Sequence, residues 1–315
     1  MKEPRKPPAL ARGSTVRIVS TASPANRAAR RQGVDELERL GYRVLRSREM
    51  TAEGYFAGSQ ARRLAELESA LGDPKAEAVI CSRGGYGSSA LLGDLRLPRA
   101  SRPKLVVGYS DVTALHAFLW QRLRWTSVYG PMVSAGFYGG AGKSCGYDRE
   151  SFQNAAEGLR ETWTLPLAGE TLVGGEASGV LLGGCVTLLE TTLGTPWELD
   201  TRGAILLLED VTIKPYQLDR MLLHLQQAGK FRGVRGFVLG DFPQCDPPLP
   251  SRVTVRDVCR RILGPLGLPM VFAAPVGHTH RPMLTLPLGV RARLRASGAG
   301  QLEILEPAVS KKRQA

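Results

Sequence analysis

Over the first 135 residues, short apolar runs alternate with stretches whose apolar positions recur at helical spacing. Val16–Ser20 reads as a strand, Arg27–Leu40 as a helix closed by Gly41, and Tyr42–Leu45 as a second strand. Ser59–Leu71 carries Leu64, Leu67 and Leu71 at i, i+3 and i+7, and Gly72 and Pro74 end it. Ala78-Val79-Ile80-Cys81 and Leu105-Val106-Val107 are apolar throughout. Each leads through a turn into a helix, the second running from about Val112 to Gln121. Strands apolar on both faces and separated by helices predict a parallel sheet covered on both sides. Ligands of such sheets bind beyond the carboxyl ends of the strands.

The pattern breaks over 136–170, where Gly136, Gly139, Gly140, Gly142 and Gly146 precede a short helix near Ser151–Leu159 and then Pro166. It resumes with a strand pair around 171–182, a helix over Cys185–Leu193 and the strand Ala204–Leu208. The helix Tyr216–Ala228, the strand Gly236–Leu239 and the helix Val253–Leu263 follow, and β-rich segments (Val271–Ala273, Val290–Leu294, Leu302–Leu305) close the chain. The expected fold class is α/β. A parallel-sheet, Rossmann-like N-terminal domain spans 1–135, a linker 136–170, a smaller β-rich α/β domain 171–308 and a basic tail 309–315.

Composition narrows the class. A chain of 315 residues with 43% hydrophobic and 23% charged positions is globular. Folded, it hides about 75% of the surface its unfolded form exposes, so its core needs no staple. Five cysteines, an odd number without a C-x-x-C pair, speak against a disulfide framework or a zinc ribbon and fit a reducing compartment. The net charge of +13 raises nucleic-acid binding as a function. Much of the excess sits at the ends, with Lys2, Arg5, Lys6 and Arg12 at one and Lys311, Lys312 and Arg313 at the other. No basic stripe interleaved with aromatics runs between them, so an anionic small substrate is the better expectation. The most apolar window, Gly179 to Leu189, runs into Glu190 and Pro196 and is too short to span a bilayer. With no targeting segment evident, the expected location is the cytoplasm.

The chemistry concentrates at strand ends. Gly108-Tyr109-Ser110-Asp111 follows one buried strand and opens a helix. A serine on such a turn is offered above the sheet, where following N–H groups and the helix dipole stabilise an oxyanion. Val112 stands where the G-x-S-x-G elbow wants a second glycine, and Ser110 with Asp111 would serve equally as a helix cap. Arg83-Gly84-Gly85-Tyr86-Gly87-Ser88 also joins strand to helix; its glycines let N–H groups approach an anion, though it lacks the lysine of a P-loop. A nucleophilic serine needs a base. His116 lies six residues along the same helix, roughly 9 Å away at 1.5 Å per residue, and His224 sits in an amphipathic helix. His278 and His280 occupy a glycine-opened loop after an apolar strand, and as an H-x-H pair they also suit a metal. Ala204–Leu208 ends in Glu209-Asp210, adjacent residues that point to opposite faces, so one of the two faces a cleft.

Together these stretches resemble the LD-carboxypeptidase family of serine peptidases, which includes muramoyltetrapeptide carboxypeptidases and microcin immunity peptidases. The matching motifs begin with Arg83-Gly84-Gly85-Tyr86-Gly87, Gly108-Tyr109-Ser110-Asp111-Val112-Thr113-Ala114-Leu115 and Gly130-Pro131-Met132. They continue with Gly183-Gly184, Gly194-Thr195-Pro196-Trp197, Leu208-Glu209-Asp210 and Pro215-Tyr216-Gln217-Leu218-Asp219-Arg220-Met221-Leu222. Gly277-His278 and Thr285-Leu286-Pro287-Leu288-Gly289 complete a set that runs in family order over about residues 15–305. The resemblance implies a catalytic triad of Ser110, His278 and Glu209, with the N–H of Asp111 and one from the Gly84-Gly85 turn, taken as Gly85, forming the oxyanion hole. Arg83 and Gly84 are candidate substrate contacts. It further implies hydrolysis of the amide before the terminal D-alanine of a murein tetrapeptide in peptidoglycan recycling, with no cofactor or metal, in a homodimer. A microcin-immunity-type amidase cleaving aminoacyl-nucleotide conjugates with the same triad is the alternative. Ile213 departs from the glutamate often found there in the family, which bears on substrate contacts and not on the triad.

Overall fold

The computed structural model describes residues 3–46, 51–97 and 101–311. Of the basic termini, Lys2, Lys312 and Arg313 lie outside these residues. The chain begins with β1 (Thr15–Val19), α1 (Arg27–Arg39), β2 (Arg43–Leu45), α2 (Gln60–Gly72), β3 (Ala78–Cys81) and α3 (Ser89–Leu92). Helix α1 starts where the Asn26 side chain accepts the Ala29 N–H, and α2 where Ser59 accepts that of Arg62. Next come β4 (Leu105–Gly108), α4 (Thr113–Phe118) and β5 (Ser127–Tyr129). The expected helix at 112–121 proves composite, because a 3-10 turn over Ser110–Val112 precedes α4 and a π turn over Leu119–Leu123 follows it.

These strands form a six-stranded sheet in the order β12-β5-β4-β3-β1-β2, where β12 is Leu286–Leu288 from far along the chain. The pairs among β1 to β5 are parallel, and β12 closes the edge antiparallel to β5. Strands β3, β4 and β5 are buried at every position, as the apolar runs of the first two predict.

The stretch 136–170 contributes α5 (Arg149–Glu157), β6 (Trp163–Pro166) and the start of β7 (Glu170–Val173). Beyond it lie β8 (Gly175–Cys185), α6 (Val186–Thr191), β9 (Ala204–Glu209), α7 (Pro215–Gln227), β10 (Gly236–Gly240), α8 (Val255–Leu263) and β11 (Met270–Ala274). After β12 the chain ends its described course with β13 (Arg291–Ala296) and β14 (Gln301–Ile304). The second sheet is eight-stranded, ordered β6-β14-β13-β8-β9-β10-β11-β7, and so holds more strands than the first, although the sequence leads one to expect the smaller unit here. Its middle strands β8 to β11 run parallel. One apolar core joins side chains of both sheets, from Val16 and Val107 to Leu181, Ile205 and Leu294. A second core, around Leu206, Leu222 and Ile262, lies beneath α6, α7 and α8. No helix among the described residues is long and apolar enough to cross a membrane.

Candidate active site

Two sets of carboxyl strand ends supply the candidate residues. From the first sheet, β4 runs into Tyr109, which is extended, and then into Ser110 at φ +63°. A non-glycine residue in the left-handed region at a strand-to-helix turn is the strained geometry that lifts a nucleophile clear of its neighbours. Among the described residues the Ser110 hydroxyl makes no hydrogen bond, so it does not cap the helix that follows. Val112, which replaces the second elbow glycine, is fully buried against Gly108.

The glycine loop after β3 lies directly on this turn. A Cβ on Gly84 would sit 2.9 Å from Ser110 Cβ and 3.0 Å from its Oγ, so no larger residue fits beside the hydroxyl. The buried Asp111 side chain ties the two segments together by accepting the Gly87 N–H at 3.3 Å and the Ser88 N–H at 2.8 Å. Burial raises its carboxyl above the ordinary value, and these hydrogen bonds and the nearby Arg63 guanidinium act against that rise. Among the described residues, the backbone N–H groups of Asp111 and Gly85 have no acceptor, and both border the Ser110 turn. Arg83, at the start of the loop, is exposed and donates Nη1 to the Pro24 carbonyl at 2.9 Å.

From the second sheet, β9 ends in Glu209, which is wholly buried. Its Oε2 accepts both the backbone N–H of His278 at 2.9 Å and a bond from Nδ1 of the same residue at 2.8 Å. The loop can lie this close because Gly277 carries no side chain; a Cβ there would fall 2.4 Å from Glu209 Cδ. The neighbouring Asp210 points away, accepting the Thr187 N–H at 2.9 Å and the Thr187 hydroxyl at 2.7 Å at the start of α6. The pleat therefore gives Glu209 to His278 and Tyr129, and Asp210 to the helix. Burial disfavours charge on both members of the Glu209–His278 pair. Their attraction and hydrogen bonds outweigh it, so the carboxyl is held below its ordinary value and the imidazole above 6.5.

One residue that the sequence reading passed over links the two halves. The buried Tyr129 hydroxyl donates to Glu209 Oε1 at 2.6 Å and accepts the Ser110 N–H at 3.2 Å. The signal was present in Thr126-Ser127-Val128-Tyr129, a β-branched and aromatic run stopped by Gly130-Pro131. Tyr109 packs edge-on against the His278 ring at a centroid distance of 5.1 Å. Among the described residues no hydrogen bond joins Ser110 Oγ to His278, a contact that in unliganded hydrolases often forms only with substrate. A cleft of ≈ 220 Å³ opens beside them, lined by Tyr109, Tyr138, Cys145, Gln244, His278 and His280. A larger open cleft of ≈ 1130 Å³ lies elsewhere, around Arg5, Phe118, Arg122 and Arg124, and holds none of the nucleophile, acid or base candidates.

The other histidines have separate places. His116 is buried, with Nδ1 on the Ser127 hydroxyl at 2.8 Å and Nε2 on the Gly108 carbonyl at 2.9 Å; burial pushes its pKa down to about 4. His224 meets Glu190 on the surface at 2.9 Å. His280 turns its Nδ1 toward Cys145 Sγ at 3.6 Å. Among the described residues no group of three or more His, Cys, Asp or Glu side chains is arranged to hold a metal ion.

Comparison with known proteins bears on the chain as a whole. Residues 16–130 match the profile described as the LD-carboxypeptidase N-terminal domain, and residues 178–294 that of the LD-carboxypeptidase C-terminal domain. The chain is 34% identical over 310 residues to the "Probable murein peptide carboxypeptidase" of Bacillus subtilis (strain 168), covering 97% of this chain and 95% of the relative. It is 27% identical over 315 residues to the microcin C7 self-immunity protein MccF of Escherichia coli, covering 90% of each chain. The crystal structure of muramoyltetrapeptide carboxypeptidase from Oxalobacter formigenes superposes with a TM-score of 0.81 at 27% identity, over 93% of this chain and 99% of that one.

Proposed function

The chain belongs to the LD-carboxypeptidase family of serine-type carboxypeptidases, and from that premise we propose that it removes the terminal D-alanine from murein tetrapeptides without a metal. The observation that carries the reading is the wholly buried Glu209 carboxylate holding His278 Nδ1 at 2.8 Å, with the Ser110 turn tied to the same carboxylate through Tyr129. Ser110 Oγ attacks the carbonyl between the L-configured centre of the third residue and D-alanine, while His278 takes its proton. The negative oxygen that forms is met by the unengaged N–H groups of Asp111 and Gly85. His278 then protonates the departing amine, and water resolves the acyl-enzyme by the same steps in reverse order. Glu209 fixes the ring so that Nε2 faces the nucleophile, and its charge stabilises the imidazolium that forms.

The substrate is anionic, and the net charge of +13 favours its capture. Arg83, exposed at the start of the glycine loop, and Gly84, against Ser110, are the proposed substrate contacts. The reading also includes a nucleophile-bearing unit over 1–135, an acid- and base-bearing unit over 171–308 and the linker 136–170 between them. Action as a homodimer in the cytoplasm, without nucleic acid, completes it.

The test is mass spectrometry of L-Ala-γ-D-Glu-meso-diaminopimelate-D-Ala after incubation with the protein, with and without a chelator. D-alanine release that survives chelation is the expected result. No release from a folded sample would overturn the substrate and turn the test to an aminoacyl-nucleotide conjugate, whereas release abolished by the chelator would overturn the metal-independent mechanism.

The pH dependence follows from the ion pair. His278 acts as a base only when neutral, and its partner Glu209 holds its pKa above 6.5. Activity therefore rises with pH through that raised value, and the acid limb of a kcat/KM profile is expected to have its midpoint above 6.5. A midpoint below that value would mean that the pair is not formed in the working enzyme.

A further inference from the structure

We propose that Tyr129 is a positioning residue, one hydroxyl that sets both the nucleophile turn and the triad acid across the seam between the two sheets; the proposal rests on the serine-triad reading above. Two hydrogen bonds of this side chain go to site groups that belong to different sheets, and Thr113 at the start of α4 also lies within hydrogen-bonding reach of the phenol. Tyr129 stands opposite Gly108 in the parallel register of β4 and β5, which brings its ring alongside the entrance to the Ser110 turn. Its hydroxyl proton goes to Glu209 Oε1, leaving the oxygen free to accept the Ser110 N–H. Burial pushes the phenol far above its ordinary value, so it remains a donor throughout the working pH range.

Among the described residues, each bond supplies a partner that the group otherwise lacks. Glu209 Oε2 already takes both bonds from His278, so Oε1 has Tyr129 as its partner inside a fully buried site. Ser110, at φ +63°, presents an N–H that the turn itself does not bond. Removing the hydroxyl would orphan a buried carboxylate oxygen and release the peptide that aims the nucleophile. The carboxylate, having lost a donor, would also hold the His278 proton more firmly. The titratable groups around this pair are Tyr109 from the nucleophile turn, His116 of α4 with its ring centroid 5.9 Å from that of Tyr129, Asp210 beside Glu209, Cys185 at the end of β8, and Cys145 and His280 across the cleft. The substitution alters none of them.

The test compares wild type, Tyr129→Phe and Tyr129→3-fluorotyrosine, the last retaining the shape with a more acidic phenol. The readouts are the pH-dependent rate of fluorophosphonate labelling at Ser110, and kcat and KM for D-alanine release. Tyr129→Phe is expected to lower the labelling rate and kcat on the order of 10–10²-fold, the cost of a buried partner left unpaired. KM stays within about twofold, because the hydroxyl touches no substrate, and the acid-limb midpoint moves up. The fluorinated variant, a stronger donor, moves that midpoint down. A folded Tyr129→Phe with unchanged rates and midpoint would overturn the proposal and leave Tyr129 a packing residue. Should Tyr129→Phe fail to fold, an unmoved midpoint in the fluorinated variant would overturn it equally. Labelling of wild-type Ser110 without D-alanine release would remove the substrate reading alone, and the labelling rates would still decide Tyr129. An unlabelled wild-type Ser110 would overturn both.

Discussion

Ser110→Ala is expected to lower turnover by about 10⁴–10⁶-fold while the protein keeps its fold, because in the proposed mechanism the substitution removes the atom that forms the acyl-enzyme. The side chain contributes little to stability. Among the described residues its hydroxyl makes no hydrogen bond, its backbone N–H is held by Tyr129 whatever the side chain, and alanine is smaller in a place where Gly84 already yields space. The residual rate is expected to stay above that of the uncatalysed reaction, since the N–H groups of Asp111 and Gly85 remain in place. Steady-state kinetics on the tetrapeptide, beside circular dichroism of the same sample, checks this. Turnover retained within tenfold of wild type would remove Ser110 from the mechanism.

Glu209→Gln is expected to cost about 10⁴-fold in kcat, with little loss of stability. The carboxylate accepts three hydrogen bonds, one from Tyr129 and two from His278. An amide of the same shape offers one accepting oxygen and one donating nitrogen. If the oxygen faces His278, the amide nitrogen confronts a Tyr129 hydroxyl that has lost its acceptor. If the nitrogen faces His278, the ring must present Nδ1 as an acceptor, which places the proton on Nε2 and disables it as a base. Stability changes little because a neutral amide is easier to bury than a charge. Melting temperature and kcat measured together test the argument; a kcat within tenfold of wild type would mean that the carboxylate does not orient the base.

Much of the fold is legible because its strands are either apolar throughout or bounded by glycine and proline. Ala78–Cys81, Leu105–Gly108 and Ala204–Glu209 lie within or beside the expected runs. The elements missed are short or carry a misleading residue. Strand β5 has three residues, too few for periodicity to register. Strand β12 has Pro287 at its centre, which argues against an interior strand and is accommodated because β12 forms the sheet edge. The candidate site divides along the same line. A serine on a strand-to-helix turn, a glycine loop and an acidic pair at a strand end all announce themselves locally. The choice between Glu209 and Asp210, or between His278 and His280, is made by which way a pleat and a loop turn, and only tertiary packing decides that. Tyr129 escaped notice for a related reason: tyrosine at a strand end usually means packing, and its role depends on two partners 19 and 80 residues away.

Strand β12 bears on how substrate enters and product leaves. The chain passes from the first sheet to the second after β5, returns at Leu286–Leu288 to pair with Ser127–Tyr129, and then crosses again into β13. The two sheets are thus sewn together beside the very strand that carries Tyr129. Gaping like a pair of jaws would tear out the Leu286–Tyr129 pairing and draw Leu286 and Leu288 from the core they share. In the proposed mechanism, substrate would therefore reach Ser110 without the sheets parting, by way of the cleft that Tyr109, Gly136, Tyr138 and His278 line.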